Sequence, residues 1–217
     1  MGSLSGKNAA VDGQSTARGW KINSTANLQS PIAKNAGGYP VTMPGPKDWK
    51  GSFDFYGLLP SVYPGSSFTF TGDTGAPGSY SGTAIVESWT LNINQETGEP
   101  ISGTVTFGGS GALTPGTTSV SDATSPDMNS PIDLPYHWNG SARTGYRSST
   151  LVLSCELKAI MPESSNGWMT RLAGNLSASG SWQEYEALPA ALPVQNDIAI
   201  VKMYVTASTF WEIKYGR

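Results

Sequence analysis

Residues 83–113 read TAIVESWTLNINQETGEPISGTVTFGGSGAL, and the alternation in this stretch decides the fold class. Apolar side chains occupy every second position of residues 89–94 and again of residues 103–107, the pattern of strands with one buried face. Between them, residues 95–100 supply a glycine for a turn and a proline suited to the start of a strand. The stretch therefore predicts a long antiparallel hairpin.

Similar alternation recurs along the chain, whereas helical periodicity is scarce. Further strands are predicted at residues 17–23, 49–56, 67–71, 150–160, 180–185, 198–205 and 210–215. Domains typically run to roughly 100 to 200 residues, so 217 residues accommodate one large β-domain or two small ones. We expect a mainly β protein, an antiparallel β-sandwich or barrel with long loops, with short helices only near Ser61 or at residues 186–192.

Two segments are predicted to be long loops or extended arms. Residues 24–47 are rich in proline and glycine, and residues 114–139 are dominated by serine, threonine, proline and aspartate. Loops of this length are uncommon in compact domains unless they have a function. The chain is therefore divided into a β-domain at 1–113 that carries an arm at 24–47, a loop or insertion at 114–139, and a second β-rich segment at 140–217.

An offset of 129 positions relates the second segment to the first. Glycines and prolines recur together at this offset, so the same supersecondary unit is predicted to occur twice. The duplication would be incomplete, because residue 217 precedes any counterpart of the 83–113 hairpin. Coincidence in a chain rich in glycine and proline is the alternative. The offset pairs Gly45 with Gly174, Gly51 with Gly180, Ser52 with Ser181, Phe53 with Trp182, Tyr56 with Tyr185 and Pro64 with Pro193.

The composition favours a protein whose surface is partly covered by partners. Charged residues make up 13% of the chain, about half the usual fraction. The net charge of −3 comes without the clusters of lysine and arginine that grip phosphate backbones, which argues against nucleic-acid binding. A mildly acidic surface that repels DNA remains compatible with this charge.

The termini and the single cysteine predict a soluble product of a reducing cytoplasm. The first residues lack the apolar core of a signal peptide, and no stretch approaches the roughly 20 apolar residues of a membrane span. Cys155 lies in an apolar run and is expected to be a buried thiol.

Few residues offer catalytic chemistry. His137 is the single histidine and sits in an aromatic cluster, so a multi-histidine metal site is excluded and a catalytic triad is disfavoured. Two carboxylate pairs, Asp48 with Asp54 and Glu184 with Glu186, are candidates for glycoside hydrolysis, but neither has a distinctive spacing. We expect no enzyme activity, no cofactor and no metal.

Three motifs in a fixed order carry a family resemblance. Residues 44–56 read PGPKDWKGSFDFY, residues 80–89 read YSGTAIVESW and residues 100–113 read PISGTVTFGGSGAL. This order resembles the tail tube proteins of long-tailed phages. In that family an early Gly-Lys strand, here Gly6-Lys7-Asn8, precedes a long flexible arm, a strand with an Asp-Trp-x-Gly-Ser/Thr motif and a hairpin ending in Phe-x-Gly-x-Gly-x-Leu. The resemblance covers residues 5–113, and the 114–139 segment departs from it.

The resemblance implies a structural virion protein that assembles with copies of itself. In the family, sheets of neighbouring subunits join into a continuous inner β-barrel, which consumes their open strand edges. The rings are six-fold, made from six subunits or from three duplicated ones, and they stack into the tail tube. Implied partners are the tape-measure protein and the tail terminator or baseplate proteins. DNA crosses the lumen without specific binding, no membrane is involved, and the tube is built in the host cytoplasm and resides in the virion.

The resemblance also implies two sets of functional residues. Residues of the arm and of the motif strand are expected at the interface between subunits: Asn27, Pro31, Tyr39, Pro44, Gly45, Asp48, Trp49 and Gly51. Polar residues of the hairpin are candidates for the lumen face, opposite the apolar side chains of the same strands: Thr90, Asn92, Asn94, Thr104 and Thr106.

Two other functions stay open at this point. Another virion component, such as a decoration or tail adaptor protein, would share the non-catalytic β-rich character and differ in symmetry. A carbohydrate-binding β-sandwich module would stack exposed aromatic side chains on sugar rings, with Trp138, Trp168 and Trp182 as candidates, and would be a stable monomer or dimer.

Overall fold

The computed structural model describes most of the chain, and every regular element in the described residues is a β-strand. The described ranges are 2–12, 14–31, 37, 39–40, 42–56, 62–75, 78–117, 119–120, 136–138, 140–143, 146–184, 199–204 and 210–215. The strands are β1 (Gly2–Val11), β2 (Gln14–Gln29), β3 (Met43–Tyr56), β4 (Ser67–Gly75), β5 (Gly78–Asn94), β6 (Ser102–Gly109), β7 (Thr114–Gly116), β8 (Tyr136–Trp138), β9 (Ser141–Arg143), β10 (Tyr146–Ile160), β11 (Thr170–Glu184), β12 (Ala199–Tyr204) and β13 (Phe210–Tyr215).

The first six strands close into an antiparallel barrel. Pairing runs from β1 to β2, β3, β6, β5 and β4, and β4 pairs with β1 again. The interior is filled by side chains that alternate along the strands, many of them aromatic. The largest fully buried ones are Trp20, Trp49, Trp89, Phe53, Phe55, Phe70, Phe107, Ile22, Leu91, Ile101 and Leu151. The predicted mainly β, antiparallel fold is therefore confirmed.

Strand β5 extends the sheet beyond the barrel because it is long enough to have two sets of neighbours. Its first half lies between β4 and β7, and its second half lies between β6 and β10. Strand β11 follows at the far side of β10. A continuous series of paired strands results, in the order β11-β10-β5-β6-β3-β2-β1, and it is called the long sheet below. Strands β13, β12, β8 and β9 form a second, four-stranded sheet.

The predicted hairpin at 83–113 is confirmed as β5 and β6, and the predicted strand at 210–215 coincides with β13. The arm is corrected in part. Residues 24–29 and 43–47 continue β2 and β3 as a two-stranded ribbon, so the connection between the strands is shorter than predicted. Pro44 lies outside residues 50–56 of β3 that pair with β6 and next to the register shift between Ala26 and Leu28, and strands tolerate proline at edges and irregularities. The predicted helices lie outside the described residues, as does most of the 114–139 segment.

The 129-position offset relates the pairing of β2 with β3 to that of β10 with β11. Every pair from Trp20–Phe53 to Ala26–Lys47 has a counterpart 129 positions later, from Ser149–Trp182 to Cys155–Leu176. The register shift between Ala26 and Leu28 likewise recurs between Cys155 and Leu157.

A glycine stands at the same place in each of these irregularities. A Cβ atom at Gly45 would collide with the carbonyl oxygen of Asn27, and one at Gly174 would lie 3.0 Å from the carbonyl oxygen of Glu156. The two glycines are therefore 129 positions apart, and so are the two residues whose carbonyl oxygens they approach. The close approach of two backbones explains why glycine occurs at both positions.

The offset extends to the second sheet. Strand β8 pairs with β12 in the register that β1 uses with β4, so that Trp138–Val201 corresponds to Ala9–Gly72. Strands β8, β10, β11 and β12 thus correspond to β1, β2, β3 and β4. In each set the last strand pairs with the first, and the second pairs with the third.

Candidate functional site

The Asp-Trp pair of the motif strand is fixed by a buried arginine from β11. The Arg171 guanidinium donates to the Asp48 carboxylate at 2.7 Å and to the carbonyl oxygens of Trp49 and Gly109. Only 4% of Arg171 is exposed. The Trp49 indole in turn donates to the carbonyl oxygen of Gly111 at 2.9 Å. The start of β11, the Asp48-Trp49 pair of β3 and residues 109–111 are therefore held together by these hydrogen bonds.

The glycines of the 107–111 motif make room for these two side chains. A Cβ at Gly109 would overlap the Trp49 indole, and a Cβ at Gly108 would overlap the Arg171 guanidinium. Gly51 has the same relation to the Phe107 ring, at 2.5 Å. Two of the three motifs that carry the family resemblance, 44–56 and 100–113, thus meet in space, and a glycine of each leaves room for an aromatic ring of the other.

This arrangement separates the predicted interface residues into two groups. The Trp49 side chain is only 1% exposed and packs within the barrel, so it supports its own subunit. Asp48 is engaged by Arg171, and Gly51 pairs with Ile22 and Phe107 on its two sides. These three residues hold the fold, and any part they take in an interface stays a prediction.

The residues of the arm lie on a projecting surface. Asn27, Pro31 and Pro44 are exposed, and Tyr39 is 76% exposed. Residues 25–31 are exposed without interruption. The ribbon formed by the ends of β2 and β3 is therefore exposed along residues 25–29 and 43–44, whereas residues 45–47 are half-buried and Lys47 is hydrogen-bonded to Gly167 and Met169.

The predicted lumen residues share one polar face of the long sheet. Directly opposed residues lie on the same face, and Thr90 is opposite Thr104 while Asn92 is opposite Ser102. The other face of the same strands carries Leu91 and Val105, which are buried, as predicted.

Side-chain hydrogen bonds connect this polar face across successive strands. Thr104 donates to Asp54 of β3 at 2.7 Å, and Thr150 of β10 donates to Asn92 at 3.2 Å. Hydroxyl pairs continue the network at 2.7 Å: Ser88 with Thr106, and Ser154 with Ser177. The polar face is a ladder of hydroxyl and amide groups.

In β5, β6, β10 and β11 the opposed positions of this face carry no ionisable side chain, and the Asp54 carboxylate of β3 adjoins them at Thr104. The face-sharing positions of four neighbouring strands are Ser177, Ser179 and Ser181 of β11, Ser148, Thr150, Val152 and Ser154 of β10, Ser88, Thr90, Asn92 and Asn94 of β5, and Ser102, Thr104 and Thr106 of β6. Such a surface is wettable but offers a passing polyanion neither attraction nor strong repulsion.

Strand β11 presents an open edge and an exposed apolar row, neither of which the sequence analysis identified. Within the described residues β11 pairs with β10 alone. Leu176, Ala178, Gly180 and Trp182 lie on the side opposite the polar face, and Leu176 is 70% exposed while Trp182 is 39% exposed. In the sequence these four residues alternate with serines and Gln183, a pattern that could have indicated the apolar row. Arg171 was also missed, since nothing near it in sequence indicates its burial.

The other candidate residues are not brought together. Trp168 lies under the Lys47 ammonium group, and Trp182 stands near the opposite end of β11, roughly 40 Å away at about 3.3 Å per residue. The Trp138 side chain, Tyr185 and Glu186 lie outside what the structure describes. His137 is half-buried on β8. Among the described residues, no three His, Cys, Asp or Glu side chains converge as a metal site.

No family model and no curated protein matches this chain. In the part of the chain that the structure describes, no helix has the length and apolar character needed to cross a membrane. The residues that the structure describes define an all-β protein with a packed barrel, a polar sheet face, an open edge at β11 and an exposed ribbon at the ends of β2 and β3.

Proposed function

We propose that the chain is a structural subunit that assembles with copies of itself into rings, which stack into a tube of the phage tail type. The observation that carries this proposal is the long sheet, which combines a neutral polar face with an open edge. A sheet that ends in an unpaired strand is a ready site for another chain, and proteins that work as monomers usually protect such edges. On association, the open edge pairs with a strand of another copy and is no longer exposed.

The two surfaces have distinct roles in the tube. The hydroxyl and amide face of β5, β6, β10 and β11 lines the lumen, so that DNA and, before it, the tape-measure protein pass without binding. Phosphate binding requires clustered cations, which this face lacks. The exposed ribbon with Asn27, Tyr39 and Pro44 reaches the next ring, and tail terminator or baseplate proteins bind at the ends of the tube.

Electron microscopy of the purified chain tests the proposal. Negative-stain images over a concentration series are expected to contain rings or hollow tubes with a regular axial repeat. Three-fold rings would favour a duplicated subunit, and six-fold rings would favour a single one. A chain that stays monomeric at the highest concentration would contradict the proposal. Another virion component would form particles without tubes, and a sugar-binding module would shift on glycan addition instead.

A further inference from the structure

The long sheet is open at both ends within the described residues. At one end, β11 pairs only with β10. At the other end, residues 2–6 of β1 pair only with β2, because β4 joins β1 at residues 9–11. Two open edges on one sheet can bind each other between copies, which gives a head-to-tail interface that closes into a ring or propagates as a filament.

The 129-position correspondence shows what kind of strand each edge accepts. Strand β11 corresponds to β3, whose outer edge carries the antiparallel strand β6. Strand β10 corresponds to β2, and the outer edge of β10 at residues 149–153 carries residues 89–93 of β5, again antiparallel. On β2, the corresponding residues 20–24 carry residues 2–6 of β1.

Residues 2–6 therefore occupy the place on β2 that β5 occupies on β10. Leu4 stands opposite Ile22, as Leu91 stands opposite Leu151. The two occupants differ in how firmly they are packed. Residues 89, 91 and 93 are all buried, whereas Leu4 and Gly6, which hold the corresponding core-side positions on β2, are half-buried. Gly6 is the tightest point, lying against the Trp20 indole and the carbonyl of Asp73. A strand with so little buried apolar surface is weakly held.

We propose that β11 of one copy replaces residues 2–6 of β1 on the outer edge of β2 in the next copy. This inference rests on the proposed self-assembly. Six antiparallel pairings separate β11 from β1 along the long sheet, so the two strands run in the same direction. Strand β11 therefore lies antiparallel to β2 in a ring, as β1 does within one subunit. In this arrangement β11 and β2 each gain an antiparallel neighbour on the open edge. Their counterparts at the 129-position offset, β3 and β10, have such a neighbour within one subunit.

The exchange also buries the apolar row of β11. Leu176, Ala178, Gly180 and Trp182 continue the core side of the sheet, and in the exchanged pair they adjoin Trp20 and Ile22 on the core side of β2. Leu176 is 70% exposed and Trp182 is 39% exposed, whereas Leu4, which the exchange releases, is half-buried, so burial of this row favours the exchange. Backbone hydrogen bonds given up by residues 2–6 are replaced one for one by those of β11.

A disulfide that holds β1 on β2 tests the exchange. Ser3 and Asn23 are directly opposed, so the variant Ser3→Cys/Asn23→Cys locks the strand when oxidised and releases it when reduced. The matched control is Lys21→Cys/Ser52→Cys, which locks β2 to β3, a pair that the exchange leaves intact. Cys155 is buried and does not compete. A third variant lacks residues 2–6.

Ring and tube formation is measured by light scattering and electron microscopy, with circular dichroism to verify folding. The expected result is that the oxidised Ser3→Cys/Asn23→Cys variant stays monomeric and assembles on reduction, while the control assembles in both states. The variant lacking residues 2–6 is expected to assemble at several-fold lower concentration than the wild type. Equal assembly of the oxidised lock and the wild type would overturn the exchange and leave self-assembly standing. Failure of the wild type to assemble would overturn both.

Discussion

Arg171 and Asp48 are separated by 123 residues in sequence and joined by an ion pair of 2.7 Å at the base of β11. The arginine is buried and the carboxylate is 29% exposed, so the pair attaches β11 to the barrel from its inner side. Because Arg171 also binds the carbonyl oxygens of Trp49 and Gly109, it connects β11 to the 44–56 and 100–113 motifs. Stability of the barrel and placement of the edge therefore depend on the same residue.

Replacing Arg171 by methionine is expected to destabilise the fold by about 3 kcal/mol, within the range for breaking a buried ion pair. The substitution removes the partner of Asp48 and leaves two buried carbonyl oxygens without their donor. Denaturant unfolding followed by tryptophan fluorescence measures the change. Glu96→Gln is the control, since its pair with Arg147 is about one-third exposed and is expected to contribute less than about 1 kcal/mol. Similar losses in both variants would contradict the structural role of Arg171.

Replacing Gly109 by alanine is expected to cost about 2 kcal/mol, in the range for overpacking a core. The added Cβ meets the Trp49 indole, which has no free space to move into because Gly82 also contacts it. Combining Gly109→Ala with Trp49→Leu removes this clash. Unfolding free energies of the two single variants and the double variant form a cycle, and a coupling above about 0.5 kcal/mol in the compensating direction is expected. Strict additivity would contradict the steric explanation.

The 83–113 hairpin was predictable because alternation, a turn glycine and a strand-initiating proline agree locally. Strand β13 was predictable from the alternation of residues 210–215 alone. The extension of β2 and β3 into the arm was not, because Pro44 and Pro46 disfavour a strand locally and are tolerated there only at an edge and a register irregularity of the sheet.

The contacts of Arg171 could not be predicted from the sequence. Its partners come from β3 and from the end of β6, and no local pattern indicates that a charge is buried. The resemblance gives the 44–56 and 100–113 motifs only as an order along the chain. In the structure they touch, because Gly108 and Gly109 leave room for Arg171 and Trp49.

If the polar face lines the tube, a thiol placed on it will be shielded from large reagents. In a Cys155→Ala background, Asn92→Cys is expected to react with N-ethylmaleimide in both monomer and tube, but with a bulky polyethylene-glycol maleimide only in the monomer. Asn92 is exposed within the subunit, so loss of reaction would come from assembly. Ser164→Cys, in the exposed turn between β10 and β11, is the control and is expected to react in both states. Equal reaction at Asn92→Cys in tubes would place this face on the outside.

A lysine on the exposed row of β11 is expected to block assembly without unfolding the subunit. Leu176 is 70% exposed, so Leu176→Lys should change the free energy of unfolding by less than about 0.5 kcal/mol, as is usual for surface substitutions. In an assembled sheet the same side chain would carry a charge into an apolar contact, which is how natural edge strands prevent pairing. The critical concentration for ring formation is therefore expected to rise at least tenfold, measured by light scattering. Met161→Lys, a similarly exposed position in the turn before β11, is the matched control and should assemble as the wild type does. If both variants assemble normally, the edge of β11 is not an interface, and the open end of β1 and the projecting ribbon would be left as the contact surfaces of the subunit.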